Sequence, residues 1–142
     1  MKIAIAGCTG RMGLTLVKSV LARKDMTLVA GSRPHGFDPE KTKAQLAMAD
    51  CHGLLVTDDH KALMKDADAV IDFRQAEATL ALAEAVAAKG AIHIVGTTGF
   101  TGGQQKRLES MAARATIVQA GNFSFGMNLL VQLVEQAAKI LD

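Results

Sequence analysis

Short apolar segments alternate with longer amphipathic ones along the whole chain. The apolar segments are rich in Val, Ile and Ala, which is typical of parallel strands buried on both faces. They predict strands at residues 2–6, 27–31, 53–56, 69–72, 92–95 and 116–119. The amphipathic segments predict helices at residues 11–23, 41–49, 60–65, 76–89, 103–114 and 125–141. This order predicts an α/β fold, a doubly wound parallel sheet of about six strands with helices on both faces.

Glycine and proline mark the predicted boundaries between these elements. Gly31, Gly90 and Gly102 each stand at or next to the boundary of a predicted element. Both prolines fall within residues 32–39, which are therefore predicted to form a loop.

The last predicted helix has an unusual end. Its apolar stripe continues to the penultimate residue, with no glycine cap or polar tail after it. The stripe consists of Leu130, Leu133, Val134, Ala137, Ala138 and Leu141. We therefore expect either a fragment of a longer protein or a helix that packs on something outside this chain.

Length and composition limit the classes of function. The 142 residues correspond to one predicted domain, and a formal net charge of +2 is too small to indicate nucleic-acid binding. No apolar run approaches the roughly 20 residues of a membrane span, so no membrane association is expected. The two cysteines, Cys8 and Cys51, provide no disulfide framework, and a reduced, cytoplasmic setting is expected.

The first predicted strand leads through glycines directly into a helix. Gly7, Gly10 and Gly13 follow at G-x-x-G-x-x-G spacing, close to the G-x-G-x-x-G of Rossmann-like dinucleotide-binding folds. Thr9 stands in place of the middle glycine. Such a turn brings backbone N–H groups and a helix N-terminus to a pyrophosphate. The alternative is a tight turn without a ligand. Arg11 opens the helix and either reaches a phosphate or is solvated.

The end of the second strand indicates which nicotinamide cofactor is bound. NAD-binding folds place an acidic residue there for the adenosine ribose hydroxyls. This chain has Ser32 and Arg33 instead, and no carboxylate before Asp38. Ser32 and Arg33 suit a 2′-phosphate, so NADPH is the expected cofactor. The alternative is a solvated basic loop. His35, in the same loop, is interpreted as incidental.

Three later loops also follow predicted strands, at the sheet edge where ligands bind in this architecture. Phe73 either lines the cofactor site or belongs to the core. Residues 96–100, Gly-Thr-Thr-Gly-Phe, can bring backbone and threonine oxygens to a nicotinamide or a substrate acid. Residues 120–124 precede the last helix, and Asn122 or Ser124 is expected to cap it whether or not a ligand binds.

The remaining reactive side chains indicate no further chemistry. His52, His60 and His93 lack metal-ligand spacing, so no metal site is expected. Cys8 lies at a helix N-terminus, which can lower the pKa of a thiol, but we interpret it as a small loop residue. No acid–base pair is evident, and no catalytic residue is predicted in this chain.

The combined motifs resemble the dihydrodipicolinate (4-hydroxy-tetrahydrodipicolinate) reductases, oxidoreductases of bacterial lysine and diaminopimelate biosynthesis. The matching segments are residues 5–13 (IAGCTGRMG), 70–73 (VIDF), 96–100 (GTTGF) and 121–124 (GNFS). Their order and spacing fit along the whole chain, which makes the combination far more specific than the glycine turn. The resemblance implies a domain that binds NADH or NADPH.

The resemblance also implies roles for individual residues. The pyrophosphate would be held by Gly7, Cys8, Thr9, Gly10, Arg11 and Met12. Arg33 would lie near the adenosine ribose. The nicotinamide would be lined by Gly96, Thr97, Thr98, Ala120, Gly121, Asn122 and Phe123. Thr98 would also face the substrate.

The chain departs from the family in two respects. The family usually has an acidic residue near the position of Arg33, and its absence here favours NADPH over NADH. The family's His-His-x-x-Lys-x-Asp-x-Pro-Ser-Gly-Thr pattern, which supplies the acid, the catalytic lysine and the substrate carboxylate contacts, does not occur in the 142 residues. We therefore predict that this chain binds NADPH, with NADH as the second choice, and does not turn over.

The resemblance implies that the complete enzyme transfers hydride to a cyclic imine-type dicarboxylate and forms a homotetramer, largely through the missing domain. The isolated chain is then expected to be a monomer. Two other interpretations stay open. One is a stand-alone NADPH-sensing module that docks a partner through residues 125–141. The other is a different nicotinamide enzyme, of the homoserine- or aspartate-dehydrogenase kind.

Overall fold

A computed structural model describes residues 1–141; Asp142, the last residue of the predicted domain, lies outside the described residues. Within this range six strands and six helices alternate. The strands are β1 (Lys2–Ala6), β2 (Thr27–Ser32), β3 (Leu55–Thr57), β4 (Ala69–Asp72), β5 (Ile92–Val95) and β6 (Thr116–Gln119). The helices are α1 (Arg11–Leu21), α2 (Pro39–Ala47), α3 (His60–Met64), α4 (Ala76–Lys89), α5 (Gly102–Met111) and α6 (Phe125–Leu141).

The strands pair in parallel in the order β3-β2-β1-β4-β5-β6. The predicted doubly wound α/β fold is confirmed. The chain first builds outward from β1 to β3 and then continues on the other side of β1, so the strand order reverses between β1 and β4. The connections that leave these two neighbours diverge and open a crevice at the carboxyl edge of the sheet.

Alternation along β1 divides the core between the two faces of the sheet. Ile3 and Ile5 pack with Val17 of α1 on one face. Ala4 and Ala6 belong to the cluster on the other face, where their small side chains leave room for Leu82 of α4. All of these side chains are buried, so β1 is held from both faces up to the residue that precedes the glycine turn.

The loop predicted at residues 32–39 is shorter than expected at both ends. Ser32 is the last residue of β2, and Pro39 is the first residue of α2, where its missing N–H leaves no bond unmade. Asp38 caps this helix by accepting hydrogen bonds from the next backbone N–H groups. Gly31 lies inside β2 rather than at its end, and its lack of a side chain makes room for Cys8, since a Cβ there would lie 2.6 Å from the Cys8 Sγ atom.

Turns and caps shift several other predicted boundaries. Gly53 precedes β3 in a turn with a φ of +72°, so the predicted strand begins too early. Thr101 and Gln104 form a reciprocal capping box that starts α5 at Gly102. The predictions also carry α1, α2, α3 and α5 too far at their C-termini. Gly90, by contrast, ends α4 in the left-handed conformation, as predicted.

Helix α6 exposes every one of its residues. Leu130, Leu133 and Val134 of its apolar stripe are 52%, 53% and 60% exposed. The predicted bounds of the helix are confirmed, and Lys139 is the basic residue of its last turn. Within residues 1–141, no helix combines the length and the apolar character that crossing a membrane requires.

Candidate cofactor site

A cleft of about 1080 Å³ opens at the carboxyl edge of the sheet, where the connections after β1 and β4 diverge. Its walls come from the glycine loop (residues 7–10), the first turns of α1, the residues after β2 and the start of α4. The predicted site residues that line it are Gly7, Thr9, Gly10, Arg11, Met12, Arg33 and Phe73. The structure therefore brings the residues predicted for the phosphates and for the adenosine ribose to one place.

Close backbone packing explains the spacing of the glycines. Gly7 has a φ of +69°, which a side chain would strain, and its carbonyl oxygen accepts a hydrogen bond from the Gly10 N–H at 3.0 Å. A Cβ on Gly13 would lie 2.1 Å from that same Gly7 oxygen. Helix α1 can therefore approach the loop only because Gly13 has no side chain.

Ser32 fixes the glycine loop from the end of β2. Its Oγ accepts a hydrogen bond from the Gly7 N–H at 3.2 Å, and its carbonyl oxygen accepts one from the Cys8 N–H at 3.1 Å. Ser32 is 2% exposed, so its hydroxyl is occupied within the fold rather than presented to the cleft. The structure thus places Ser32 beneath the site that it was predicted to line.

Cys8 is a packing residue below the glycine loop. Burial raises the pKa of its thiol to about 11, although the nearby Arg33 acts in the opposite direction. This raised pKa keeps the thiol protonated at neutral pH. Because its N–H is bonded to Ser32, Cys8 supports the loop from inside rather than facing the cleft.

Two helix N-termini at the cleft have no side-chain cap from any residue of the described chain. They belong to α1, after Gly10, and to α4, after Gln75. Helices α2, α3 and α5 are instead capped by Asp38, Asp59 and Thr101. The uncapped N–H groups and the positive dipole ends of α1 and α4 are therefore free to bind an anion in the cleft.

Arginines supply the charge of the cleft. Among its lining residues in the described part of the chain are Arg11, Arg33 and Arg74, but no carboxylate. Arg33 is held from α2, since its Nη1 donates to Gln45 Oε1 at 2.6 Å and to Thr42 Oγ1 at 3.3 Å. Its Nε is buried and has no partner within residues 1–141. The hydrogen-bonding capacity of the Arg33 guanidinium is therefore only partly used within the described chain.

A buried ion pair lies beside the glycine loop. Asp72, the last residue of β4, is fully buried, and Arg74 binds it through Nε–Oδ1 and Nη2–Oδ2 hydrogen bonds of 3.0 Å each. Burial raises the pKa of Asp72, but the adjacent His93 ring and Arg74 outweigh burial and hold this pKa well below its usual range. His93 Nε2 lies 3.6 Å from Oδ2, beyond hydrogen-bonding distance, so the forked pair with Arg74 is the dominant contact.

Phe73 connects the cleft to the loops after β5 and β6. Its ring meets that of Phe123 edge to face, with centroids 5.7 Å apart and an interplanar angle of 61°. A Cβ on Gly96 would lie 2.1 Å from Phe73 Cε1, so the ring occupies the space that this glycine leaves. Phe73 therefore both lines the cleft and packs against its neighbours, which combines the two interpretations that its sequence position allows.

The two threonines after β5 have different environments. Thr97 is 3% exposed, and its Oγ1 lies 2.8 Å from Thr79 Oγ1 of α4. Its hydroxyl is therefore engaged in the interior. Thr98 is exposed, so it is the threonine of this loop that a ligand can reach.

Ser124, one of the two residues predicted to cap α6, does so, and Asn122 orders the turn before it. Asn122 Oδ1 accepts a hydrogen bond from the Ser124 N–H at 2.8 Å, and Ser124 Oγ accepts one from the Met127 N–H at 3.4 Å. Ala120 is partly buried, whereas Gly121 is exposed. Residues 96–98 and 120–123 do not line the cleft that contains Arg33, and Phe73 connects the two regions through its contact with Phe123.

The sequence analysis missed the Asp72–Arg74 pair and the contacts that hold Arg33. A carboxylate and a guanidinium two residues apart, directly after a buried strand, were the available signal for the pair. Thr42 and Gln45 gave no such signal, because they reach Arg33 from another element. Within the described residues, no group of three or more His, Cys, Asp or Glu side chains is arranged to hold a metal ion.

Known proteins match the sequence of this chain along its whole length. The family model described as "Dihydrodipicolinate reductase, N-terminus" matches residues 1–123. A 4-hydroxy-tetrahydrodipicolinate reductase of Roseobacter denitrificans is 44% identical over 143 residues, which cover 100% of this chain and 53% of that protein. One of Parvibaculum lavamentivorans is 41% identical over 144 residues, again covering 100% and 53%. The chain thus spans about half the length of the curated relatives it matches.

Solved structures share the fold. A dipicolinate-bound dihydrodipicolinate reductase from Paenisporosarcina sp. TG-14 superposes with a TM-score of 0.76 at 22% identity, covering 97% of this chain and 53% of the other. A biliverdin reductase from Synechocystis, in complex with biliverdin and NADP+, superposes with a TM-score of 0.63 at 20% identity, covering 83% and 37%. At these identities the likeness shows a common architecture.

Proposed function

We propose that this chain, which belongs to the dihydrodipicolinate reductase N-terminal domain family, is the part of a 4-hydroxy-tetrahydrodipicolinate reductase that binds the nicotinamide cofactor, with NADPH preferred over NADH. One observation carries the proposal. The cleft at the switch point of the sheet combines an uncapped helix N-terminus with arginines and has no carboxylate among its described lining residues. That chemistry fits a ligand with several phosphates.

The pyrophosphate would lie over the glycine loop, against the free N–H groups at the start of α1. Gly7, Gly10 and Gly13 leave space for the backbone to approach it, and Met12 and Arg11 flank the approach. Cys8 and Ser32 would act from beneath, by fixing the loop. Their contribution is to hold the N–H groups in place before the cofactor arrives, which lowers the cost of ordering on binding.

The preference for NADPH rests on Arg33. Its partly buried guanidinium lies where this fold reads the adenosine ribose, and its Nε has no partner within the described chain. The positive charge of this guanidinium would pair with a 2′-phosphate. A carboxylate at this position would accept hydrogen bonds from the ribose hydroxyls of NADH and repel a 2′-phosphate. The described lining residues include no carboxylate.

The nicotinamide would extend past Phe73 toward residues 96–98 and 120–123. Thr98 would meet both the ring and the substrate, and its exposure on the loop after β5 supports this role. Thr97 would support that loop through its bond to Thr79. When bound, the cofactor supplies the hydride chemistry, and the residues of this chain bind and orient it.

The first experiment is a calorimetric titration of the chain with NADPH and with NADH, repeated for Arg33→Ala. We expect NADPH to bind more tightly than NADH, and the variant to lose about tenfold or more in NADPH affinity, because charge-assisted hydrogen bonds are lost. NADH affinity should be unchanged. Arg107→Ala is the matched control, since it removes an exposed arginine that pairs with Glu84 far from the cleft.

Two results would contradict the cofactor assignment. Failure of both nucleotides to bind the wild-type chain would reduce the glycine loop to a turn. An equal loss for NADPH and NADH in Arg33→Ala would remove the basis for the phosphate preference, while leaving a dinucleotide site.

The complete protein would transfer hydride to a cyclic dicarboxylate in the cytoplasm, as a homotetramer. This chain spans about half of its relatives, and no catalytic residue is assigned to it, so we propose that it binds cofactor without turnover. A reductase assay with the purified 142-residue chain tests this directly. Measurable turnover of 4-hydroxy-tetrahydrodipicolinate would show that the chemistry resides in this half.

A further inference from the structure

We propose that Arg74 is a second phosphate-binding residue of the cleft, a guanidinium that buried Asp72 holds in place for the diphosphate of the dinucleotide. This inference rests on the proposed cofactor site and adds to it a residue that neither the sequence motifs nor the family resemblance assigned. It concerns a contact with the diphosphate, separate from the proposed binding of the 2′-phosphate by Arg33.

The guanidinium of Arg74 is fixed by contacts on one side. Nε donates to Asp72 Oδ1 and Nη2 to Asp72 Oδ2, each at 3.0 Å. Nη2 also donates to the carbonyl oxygen of Ala78 at 3.0 Å, and the Arg74 N–H donates to Asp72 Oδ1 at 2.9 Å. Within residues 1–141, Nη1 has no hydrogen-bond partner, so the remaining donor of the fork is free for a ligand.

The position of Arg74 places this donor at the crevice. Arg74 lines the same cleft as the glycine loop and the N-terminus of α1. Its Cγ lies 3.2 Å from the point where a Cβ on Gly7 would stand, so the side chain passes directly beside the loop. Arg74 also follows β4, the strand that neighbours β1 across the switch point, where dinucleotides bind in this architecture.

The side chains of Asp72 and Arg74 differ in exposure in a way that suits this role. The Asp72 side chain is 0% exposed, whereas that of Arg74 is 20% exposed. The carboxylate thus stays in the interior with both oxygens occupied, and the guanidinium is the part of the pair that reaches the cleft. An arginine whose rotamer is already fixed loses little entropy when it binds a phosphate, and its planar fork suits phosphate oxygens.

A panel of ligands separates this role from a merely structural one. NADPH, NADH and ADP all carry a diphosphate, whereas 2′-AMP carries only the phosphate assigned to Arg33. For Arg74→Gln we expect at least a tenfold loss of affinity for the three diphosphate ligands and unchanged affinity for 2′-AMP. Arg33→Ala should give the opposite pattern, losing NADPH and 2′-AMP while retaining NADH and ADP.

A second variant controls for the possibility that the single substitution unfolds the chain. Arg74→Gln alone leaves the buried Asp72 carboxylate without its cation, so the double variant Asp72→Asn/Arg74→Gln removes both charges together. We expect the double variant to retain the circular dichroism of the wild type and to show the same selective loss for diphosphate ligands. Arg107→Gln, which removes an exposed arginine on α5, should change none of the four affinities.

The outcomes are distinguishable. Wild-type affinity of the folded double variant for ADP would overturn the role of Arg74 and leave the cofactor site intact. An equal loss for all four ligands, 2′-AMP included, would show that the pair only maintains the fold. Failure of the wild-type chain to bind any of the four would overturn the cofactor site and this inference with it.

Discussion

The carboxyl edge of the sheet has two halves that are built differently. In the enclosed half, formed by the connections after β1, β2 and β4, functional groups are fixed by buried partners such as Ser32 and Asp72. In the open half, formed by the connections after β5 and β6, Thr98 and residues 121–123 are exposed. Phe73 reaches Phe123 across the boundary.

This difference predicts different roles for the two halves. The enclosed half has its donors and its positive charge in place within the chain, so it can contribute binding energy without further ordering. The open half offers backbone and hydroxyl groups on an exposed surface, with one buried threonine behind them. We therefore expect substitutions in the enclosed half to change global stability and affinity, and substitutions in the open half to act locally.

The largest expected effect is that of Asp72→Asn in the enclosed half. The change leaves Arg74 without its anion in a largely buried setting, and breaking a buried pair in this way costs about 3 kcal/mol of the free energy of unfolding. Urea denaturation of the two proteins at neutral pH measures the difference. Asp68→Asn is the control: it alters an exposed carboxylate that accepts a hydrogen bond from the Lys2 N–H, so its effect should be much smaller.

The same pair predicts a pH dependence. The pKa of Asp72 is lowered in the folded chain, so its contribution to stability is present above the unfolded pKa of about 3.9. It is lost progressively as the pH falls below that value toward the lower folded pKa. The difference in stability between wild type and Asp72→Asn should therefore be constant near neutral pH and shrink in acid. A difference that stays constant down to pH values near 3 would show that the Asp72 pKa is not the cause.

A pair of glycine substitutions sharpens the comparison with effects of opposite sign. Gly13→Ala forces a Cβ against the Gly7 oxygen, and we expect it to destabilise the chain by about 2 kcal/mol despite the higher helix propensity of alanine. Gly103→Ala, in α5, meets no atom within 4 Å and should stabilise by about 0.5 kcal/mol. Thermal unfolding measures both, and NADPH titration should fail for the first and succeed for the second. Equal stabilities would show that the glycine loop yields to the added methyl group.

The smallest expected effect lies in the open half. Asn122→Ala removes the acceptor of the Ser124 N–H in the turn that leads into α6 and should loosen that turn and the start of the helix by about 1 kcal/mol. Because α6 is exposed along its length, the global unfolding free energy should change by less than about 0.5 kcal/mol. Amide hydrogen exchange resolves the two quantities. Gln132→Ala, an exposed substitution on the same helix, should leave exchange at the first turn unchanged; a global loss in Asn122→Ala would mean that the open half is coupled to the core.

Much of the fold is predictable because the hydrophobic pattern of many elements lies within their own sequence. The predicted bounds of β1, β4, β5 and β6, and of α4 and α6, are those of the structure residue for residue. The errors fall where caps override hydrophobic pattern. Asp38 and Pro39 start α2 earlier than its apolar periodicity suggests, and Gly53 turns the chain before β3 begins.

The site is predictable in outline but not in its supports. The glycine spacing predicts the tight turn into α1, since the backbone geometry that it requires is local. Pairing across elements is not local, so the contacts of Arg33 with α2 had no counterpart in the pattern. The sequence also cannot distinguish the environments of two adjacent threonines. In the structure, Thr97 packs toward Thr79 and Thr98 is exposed.

The position of Ser32 has a consequence for redesign of the cofactor preference. Ser32 accepts hydrogen bonds from two backbone N–H groups of the glycine loop and directly precedes Arg33. The residue proposed to bind the ribose phosphate is therefore the neighbour of one that supports the loop. A segment transplanted from an NADH-dependent homologue can begin at residue 33 and leave both amides paired. A transplant that begins one residue earlier and carries no hydroxyl would alter the ribose preference and loosen the phosphate loop in the same step.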